Sequence, residues 1–373
     1  MMSSTQPLES ADEARSSSSE TGDVDWYKKV EDEKNKFINQ QLQVLRKRLG
    51  LLPWWLRCFF KLRHLEKVYE RSLSATADHY MQEMAGHEIS AENVNYLVND
   101  FASCLTEAVS FLEDFLGVLN VNWEIVSSKR KKIVFPKDEP VIVVANHPYG
   151  CVDGLALLAM LREMRDLKER DMGVKLLAGY AITHLPELGQ YHFDIDSMTD
   201  DTDLSGDVSF KKEIISFVDE GNILAVFPAF EEVRFNLFDD QVIEPAWREE
   251  VATIIQETKA TVVPVFINYG RGLRYKTYRS SLFVNILKRL RVHDIQSFLF
   301  AKEMLSYQKL TVQMRLGDPI PYTELSKEVD RKLSVASKAS KQKQRPKTSQ
   351  EQALMDYLKA KTLALHSAKA FKD

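Results

Sequence analysis

The sequence predicts an α/β domain, a sheet flanked by helices with a helical segment ahead of it and one more helix at the end. Three observations carry that prediction. Short apolar runs of the buried-strand kind occur at Val141–Ala145, Ile223–Phe227 and Thr261–Asn268, and helical patterns separate them. The first run feeds a polar loop, 146–154, and then a second apolar run from Leu155 to Leu158, so strand, loop and helix follow each other directly. Hydrophobic residues make up 44% of the 373 residues, enough for the core of one large domain with appendages.

Composition narrows the class further. A net charge of −4 gives no reason to expect nucleic-acid binding. The three cysteines, Cys58, Cys104 and Cys151, are scattered and odd in number, which argues for a reducing compartment and against a disulfide framework. There is no Cys/His cluster with metal-ligand spacing. No stretch reaches the roughly 18 apolar residues of a membrane span. The acidic, serine-rich start lacks the features of a secretory signal, and residues 1–22 are expected to be a disordered acidic tail.

Residues 23–120 read as a helical N-terminal segment. Asp25–Gly50 is amphipathic, with Trp26, Val30, Phe37, Gln41 and Leu45 near one face. Next comes an apolar stretch holding Trp54 and Trp55. Around it six cations, Arg46, Lys47, Arg48, Arg57, Lys61 and Arg63, occur with no acidic residue. Tryptophan among cations suits a membrane interface, and it equally suits an amphipathic helix packed on the domain. Leu65–Met84 and Ser90–Leu119 continue as helices, the second with a core-type apolar stripe and Ser90 as its cap.

Residues 121–325 read as the α/β domain. Strands are expected at 121–126, 141–145, 174–178, 191–195 (an edge strand), 223–227, 261–268 and 310–316. Helices are expected from the loop to about Lys168, at 181–187, from a Ser209 cap to Glu220, at 247–259, 281–290 and 296–304. The aspartate-rich stretch 196–209 and the stretch 228–245 read as loops. Between Arg331 and Lys347 there are seven cations and no anion, so 326–349 reads as a flexible basic linker. Residues 350–373 close with a helix.

The chemistry sits in the loop Asn146-His147-Pro148-Tyr149-Gly150-Cys151-Val152-Asp153-Gly154. A loop leaving the carboxyl end of a strand is where open α/β sheets place their sites. An imidazole with a carboxylate beside it can take a proton from a hydroxyl, the carboxylate fixing the tautomer and balancing the imidazolium charge. Taken singly, each residue also has a plain structural role. A lone histidine is often structural, Asp153 suits a helix N-cap, and Pro148 and Gly150 suit a turn.

Together these residues resemble the active-site loop of the phospholipid/glycerol acyltransferase superfamily. In most of that superfamily four residues separate the histidine and aspartate; here five do, Pro148 to Val152. The hemolysin-like branch, which includes lyso-ornithine lipid acyltransferases, has this longer form, NHP-x-G-x-x-DG. A second block, Phe227-Pro228-Ala229-Phe230-Glu231, resembles that branch's FPAGE, with Phe230 in place of the glycine. Arg234 follows a few residues beyond the usual phosphate-binding arginine. A third block, Val262–Asn268, resembles the superfamily's VPV strand, its Pro264 suiting a sheet edge or bulge. Arg271 and Arg274 follow, and Gly317-Asp318-Pro319-Ile320 resembles a closing G-x-P-I. The likeness runs from Lys131 to Tyr322, about half the chain.

The resemblance implies an acyltransferase-type mixed sheet. It implies transfer of a fatty acyl group from acyl-CoA or acyl carrier protein to a hydroxyl of a lysolipid or glycerol-phosphate-like acceptor. His147 would be the base and Asp153 its orienter. Asn146, Pro148, Gly150, Phe227, Pro228, Phe230, Glu231, Arg234, Arg271 and Arg274 would form the substrate site. No metal or other cofactor is implied, because a thioester is already activated. The expected partners are membrane lipids and the acyl donor, and the expected location is the cytoplasmic face of a membrane, held peripherally. Phe230 raises an alternative, a catalytically degenerate peripheral membrane lipid-binding protein. A hydrolase using Cys151 as nucleophile is a third reading, with no evident residue to orient it.

Overall fold

The computed structural model describes residues 23–50, 62–85, 111–126, 135–136, 139–148, 151–164, 173–178, 186–194, 204–230, 234–236, 241–268, 310–340 and 349–366. Seven strands form one mixed sheet: β1 (Asn122–Ile125), β2 (Val141–Ala145), β3 (Val174–Ala178), β4 (His192–Asp194), β5 (Ile223–Val226), β8 (Thr261–Ile267) and β9 (Thr311–Leu316). Their order is β1-β9-β8-β2-β5-β3-β4. Every neighbouring pair is parallel except β8 and β9. The expected edge strand is β4, at one end of that order.

The three central strands, β8, β2 and β5, are buried along their whole length. They read as continuous apolar runs because helices cover both faces of a parallel sheet, leaving no wet side to alternate with. The pleat still sorts the side chains. Val141, Val143, Ala145, Ile223, Ala225, Val263 and Val265 join one cluster. Ile142, Val144, Leu224, Val226 and Val262 join the other.

Helices α1 (Asp23–Gly50), α2 (Leu62–Ala85), α3 (Phe111–Leu119) and α4 (Cys151–Glu163) contribute to the first cluster. The N-terminal helical segment thus shares a core with the sheet. Lys34 joins α1 to Asp78 on α2 at 2.6 Å. The buried Tyr69 hydroxyl of α2 donates to both carboxylate oxygens of Glu187, at 2.8 and 3.0 Å. Glu187 belongs to a 3-10 turn, Pro186–Tyr191, that leads into β4. Residues Val152 to Leu161 of α4 are all buried, as suits a helix apolar on every side and wedged between the sheet and α3.

The opposite face carries α5 (Leu204–Asp219), α6 (Glu249–Thr258), α7 (Tyr322–Ser340) and α8 (Gln350–Ala364). Ser349 caps α8 by accepting from the Gln352 N–H at 2.9 Å.

Several expectations need correction. The expected linker 326–349 is helical from 322 to 340, so the domain boundary at 325 falls inside α7. Leu325 and Val329 are buried and Leu333 packs beside them, a four-residue stripe that the run of cations obscured. Helix α5 begins at Leu204, which places Ser209 in its interior and not at its cap. Of the expected loop 196–209, residues 204–209 are thus helical, and 196–203 lie outside the described residues. The stretch 228–245 contains a two-stranded antiparallel ribbon, β6 (Arg234–Asn236) with β7 (Gln241–Ile243). The helix α4 starts at Cys151, earlier than the expected loop end at Gly154.

Pro264 sits in the middle of the sheet beside a bulge. Val265 pairs with Leu316, whereas Val262 pairs with Ile320, so one extra residue lies on the β9 side. The bulge faces the position where proline has no N–H to offer. Gly317 approaches so closely that a Cβ there would lie 2.7 Å from Pro264 Cγ, and its N–H donates to the Pro264 carbonyl at 2.7 Å. The VPV and G-x-P-I blocks are therefore two halves of one packing feature.

The tail 1–22 expected to be disordered, the Trp54/Trp55 stretch, the expected helix start at Ser90 and the expected helices at 281–290 and 296–304 lie outside the described residues. Among the described residues no helix is long and apolar enough to cross a membrane.

Candidate functional site

The site forms where β5, β2 and β8 end side by side. Val144 of β2 is level with Val226 of β5 on one side and Pro264 of β8 on the other. Residues just past each strand must therefore meet, although β5 and β8 lie far along the chain from β2. This is the carboxyl edge that serves as a site in open α/β sheets.

Asn146 is the first residue past β2 and is buried. Its side-chain amide donates to the Ile267 carbonyl at 2.9 Å and accepts from the Ile267 N–H at 2.7 Å. The two bonds hold the start of the loop to the end of β8. An amide occupied on both sides by backbone is a structural clamp, a role that the sequence reading, which placed Asn146 in the substrate site, did not include. Pro148 is buried as well.

His147 follows, with its side chain 17% exposed. Its Nδ1 lies 3.1 Å from Oδ2 of Asp153, whose side chain has no exposed surface. The local chain explains the meeting. Asp153 stands in the first turn of α4. A helical side chain leans toward the N-terminus, which here points it back over the loop at His147. The helix end also favours a negative charge. An ionised carboxylate can only accept, so Nδ1 carries the proton and Nε2 keeps its lone pair. That arrangement can take a proton from a hydroxyl at Nε2 and hold the resulting charge next to a buried anion.

Phe227, the first residue past β5, lies flat against the imidazole, with ring centroids 4.1 Å apart and planes 18° apart. It is 4% exposed and belongs to the first-face core. Sequence reasoning named it as a substrate contact and missed this role. Its partner is visible only through the register of β2 with β5.

Phe230 departs from expectation in two ways. Its φ is +54°, so the chain takes the left-handed conformation that a glycine would favour, despite the side chain. Its ring also packs with the cluster on the opposite face of the sheet, under Arg248, whose guanidinium carbon is 5.5 Å from the ring centre. It neither lines nor plugs the His147 side. Phe230→Gly should therefore relieve left-handed strain of about 1–2 kcal/mol while losing a comparable packing term. Stability in a denaturant titration should change little, and acceptor preference should not change. A broadened acceptor range would return the ring to the pocket wall.

Pro228 is buried, and its carbonyl accepts the Arg248 N–H at 2.8 Å, tying the block to the start of α6. The backbone of Arg234 opens β6, while its side chain lies outside the described residues, as do Gly150, Glu231, Arg271 and Arg274.

The chain matches no family model and no curated protein. Among solved structures it is similar to the crystal structure of the 1-acyl-sn-glycerophosphate (LPA) acyltransferase from Thermotoga maritima. The identity is 15%, the match covers 84% of this chain and 99% of that chain, and the TM-score is 0.43.

Proposed function

We propose that the chain moves a fatty acyl group from acyl-CoA or acyl carrier protein to a hydroxyl of a lysolipid or glycerol-phosphate-like acceptor. The observation that carries this reading is the His147–Asp153 pair: a fully buried carboxylate 3.1 Å from the Nδ1 of a partly exposed imidazole, at the carboxyl end of the central strands. The blocks that resemble the acyltransferase superfamily support it, because the ends of β2, β5 and β8 bring them to one edge.

In this mechanism Nε2 of His147 takes the acceptor's hydroxyl proton as the oxygen attacks the thioester carbonyl. The tetrahedral oxyanion needs donors, a role assigned here to backbone N–H groups of the glycine-containing loop. Collapse expels the thiolate, which receives the proton from the imidazolium. Asp153 remains a carboxylate throughout. Glu231, Arg234, Arg271 and Arg274 are proposed to grip the headgroup of acceptor or donor, arginine through paired bonds to phosphate. The hemolysin-like branch rests on the five-residue spacing within the loop. Peripheral docking to the cytoplasmic face of a membrane is proposed from the Trp54/Trp55 stretch and its cations.

The alternative, a lipid-holding protein on a degenerate site, drew its support from Phe230 plugging the pocket. With that ring across the sheet, Phe230 does not support it. The test is to incubate the full chain with acyl-CoA or acyl carrier protein thioesters and a panel of lysolipids and glycerol phosphate, then analyse the lipids by mass spectrometry. Transfer to at least one acceptor is expected, giving a diacyl product from a lysolipid or a monoacyl one from glycerol phosphate. Bound lipid without any transfer across the panel would reject the enzyme in favour of the holding protein.

A further inference from the structure

We propose that Phe227 is a positioning residue for His147 that also stabilises the protonated imidazole. This goes beyond its expected place in a substrate wall, and only its activity readouts rest on the acyltransferase reading. A single bond from Nδ1 to Asp153 leaves the imidazole free to rock about that bond, which swings Nε2 through an arc. The Phe227 ring, 4.1 Å away and 18° from parallel, closes that freedom on one face. Its own position is set by the core, since it is 4% exposed and packed in the first-face cluster. A residue so buried has almost no surface left to offer an acceptor.

The stack also discriminates between charge states. The face of a phenyl ring is electronegative, so it attracts a cation more than a neutral ring. The contact therefore strengthens as His147 takes the proton, which is the moment when stabilisation lowers a barrier. Among the described residues α4 brings the charged Asp153 against the imidazole and the end of β5 brings the neutral Phe227 ring, while the Asn146 amide is taken up by the Ile267 backbone.

Phe227→Leu keeps apolar volume and removes the ring; Phe227→Tyr keeps the ring. His147 is followed by NMR of its ring carbons through a pH titration, its signals assigned by their loss in His147→Gln. In Phe227→Leu the His147 pKa should fall, because the cation loses its partner, and Phe227→Tyr should restore it. With the acceptor that turns over, kcat should drop roughly 3- to 30-fold in Phe227→Leu with KM nearly unchanged. Thermal melts establish that each variant is folded, and Phe227→Met replaces the leucine variant should it not be. An unmoved His147 pKa in a folded ring-less variant overturns the proposal. So does a raised KM with unchanged kcat, which would return Phe227 to the acceptor wall. If the natural chain transfers no acyl group at all, the proposed reaction fails, and the NMR titration alone still decides the role of Phe227.

Discussion

Purified, folded His147→Ala protein should turn over ~10²–10⁴-fold more slowly than the natural chain, the usual loss when a general base is removed. The side chain is the partly exposed member of the pair, so its removal should disturb the melt little. Asp153→Asn should lose a comparable factor by a different route. The amide has the same shape, but its nitrogen donates. Turned toward His147, it requires a lone pair at Nδ1 and sends the proton to Nε2, where the base must be free. Turned the other way, it accepts without the charge that balances the imidazolium. Rates from the lipid assay, set beside thermal melts, check both variants. Near-normal turnover of folded His147→Ala would end the proposed mechanism.

The largest effect on stability is expected at Asn146. Its two bonds, at 2.9 and 2.7 Å, satisfy both backbone groups of the buried Ile267. Alanine leaves a buried N–H and a buried carbonyl without these partners, each costing about 1–3 kcal/mol. Asn146→Ala should therefore lose about 2–5 kcal/mol in a denaturant titration, once partial relaxation is allowed for. Asn146→Asp separates the two bonds. The carboxylate still accepts from the Ile267 N–H but sets an anionic oxygen against the Ile267 carbonyl, so it should be no better than alanine. Both variants should also lower turnover, because the residue after Asn146 is the proposed base. An unfolding midpoint matching the natural chain's would show that the clamp contributes nothing.

These two positions show how differently neighbouring residues announce themselves. The His147–Asp153 contact spans six residues across one strand-to-helix junction, so its partners are both in view on a single stretch. Asn146 stands beside His147 and looks equally functional, yet its partner is 121 residues away.

By itself the sequence determined the α/β class, the three central strands and the nearness of His147 to Asp153. Strands buried on both faces must be apolar at every position, and that run is legible without knowing what covers it. A loop between a strand and a helix can bring its own residues together by local geometry alone. The tertiary structure decided the rest of the site, because strand order is not written in periodicity. Placing β8 and β5 on either side of β2 turned Asn146 into a clamp and Phe227 into a plate against the imidazole. It set Phe230 on the far face, where a left-handed turn residue sends a ring that sequence would put in the pocket. It also made a helix of a cationic stretch, since Leu325 and Val329 had a core to enter that charge counting could not reveal.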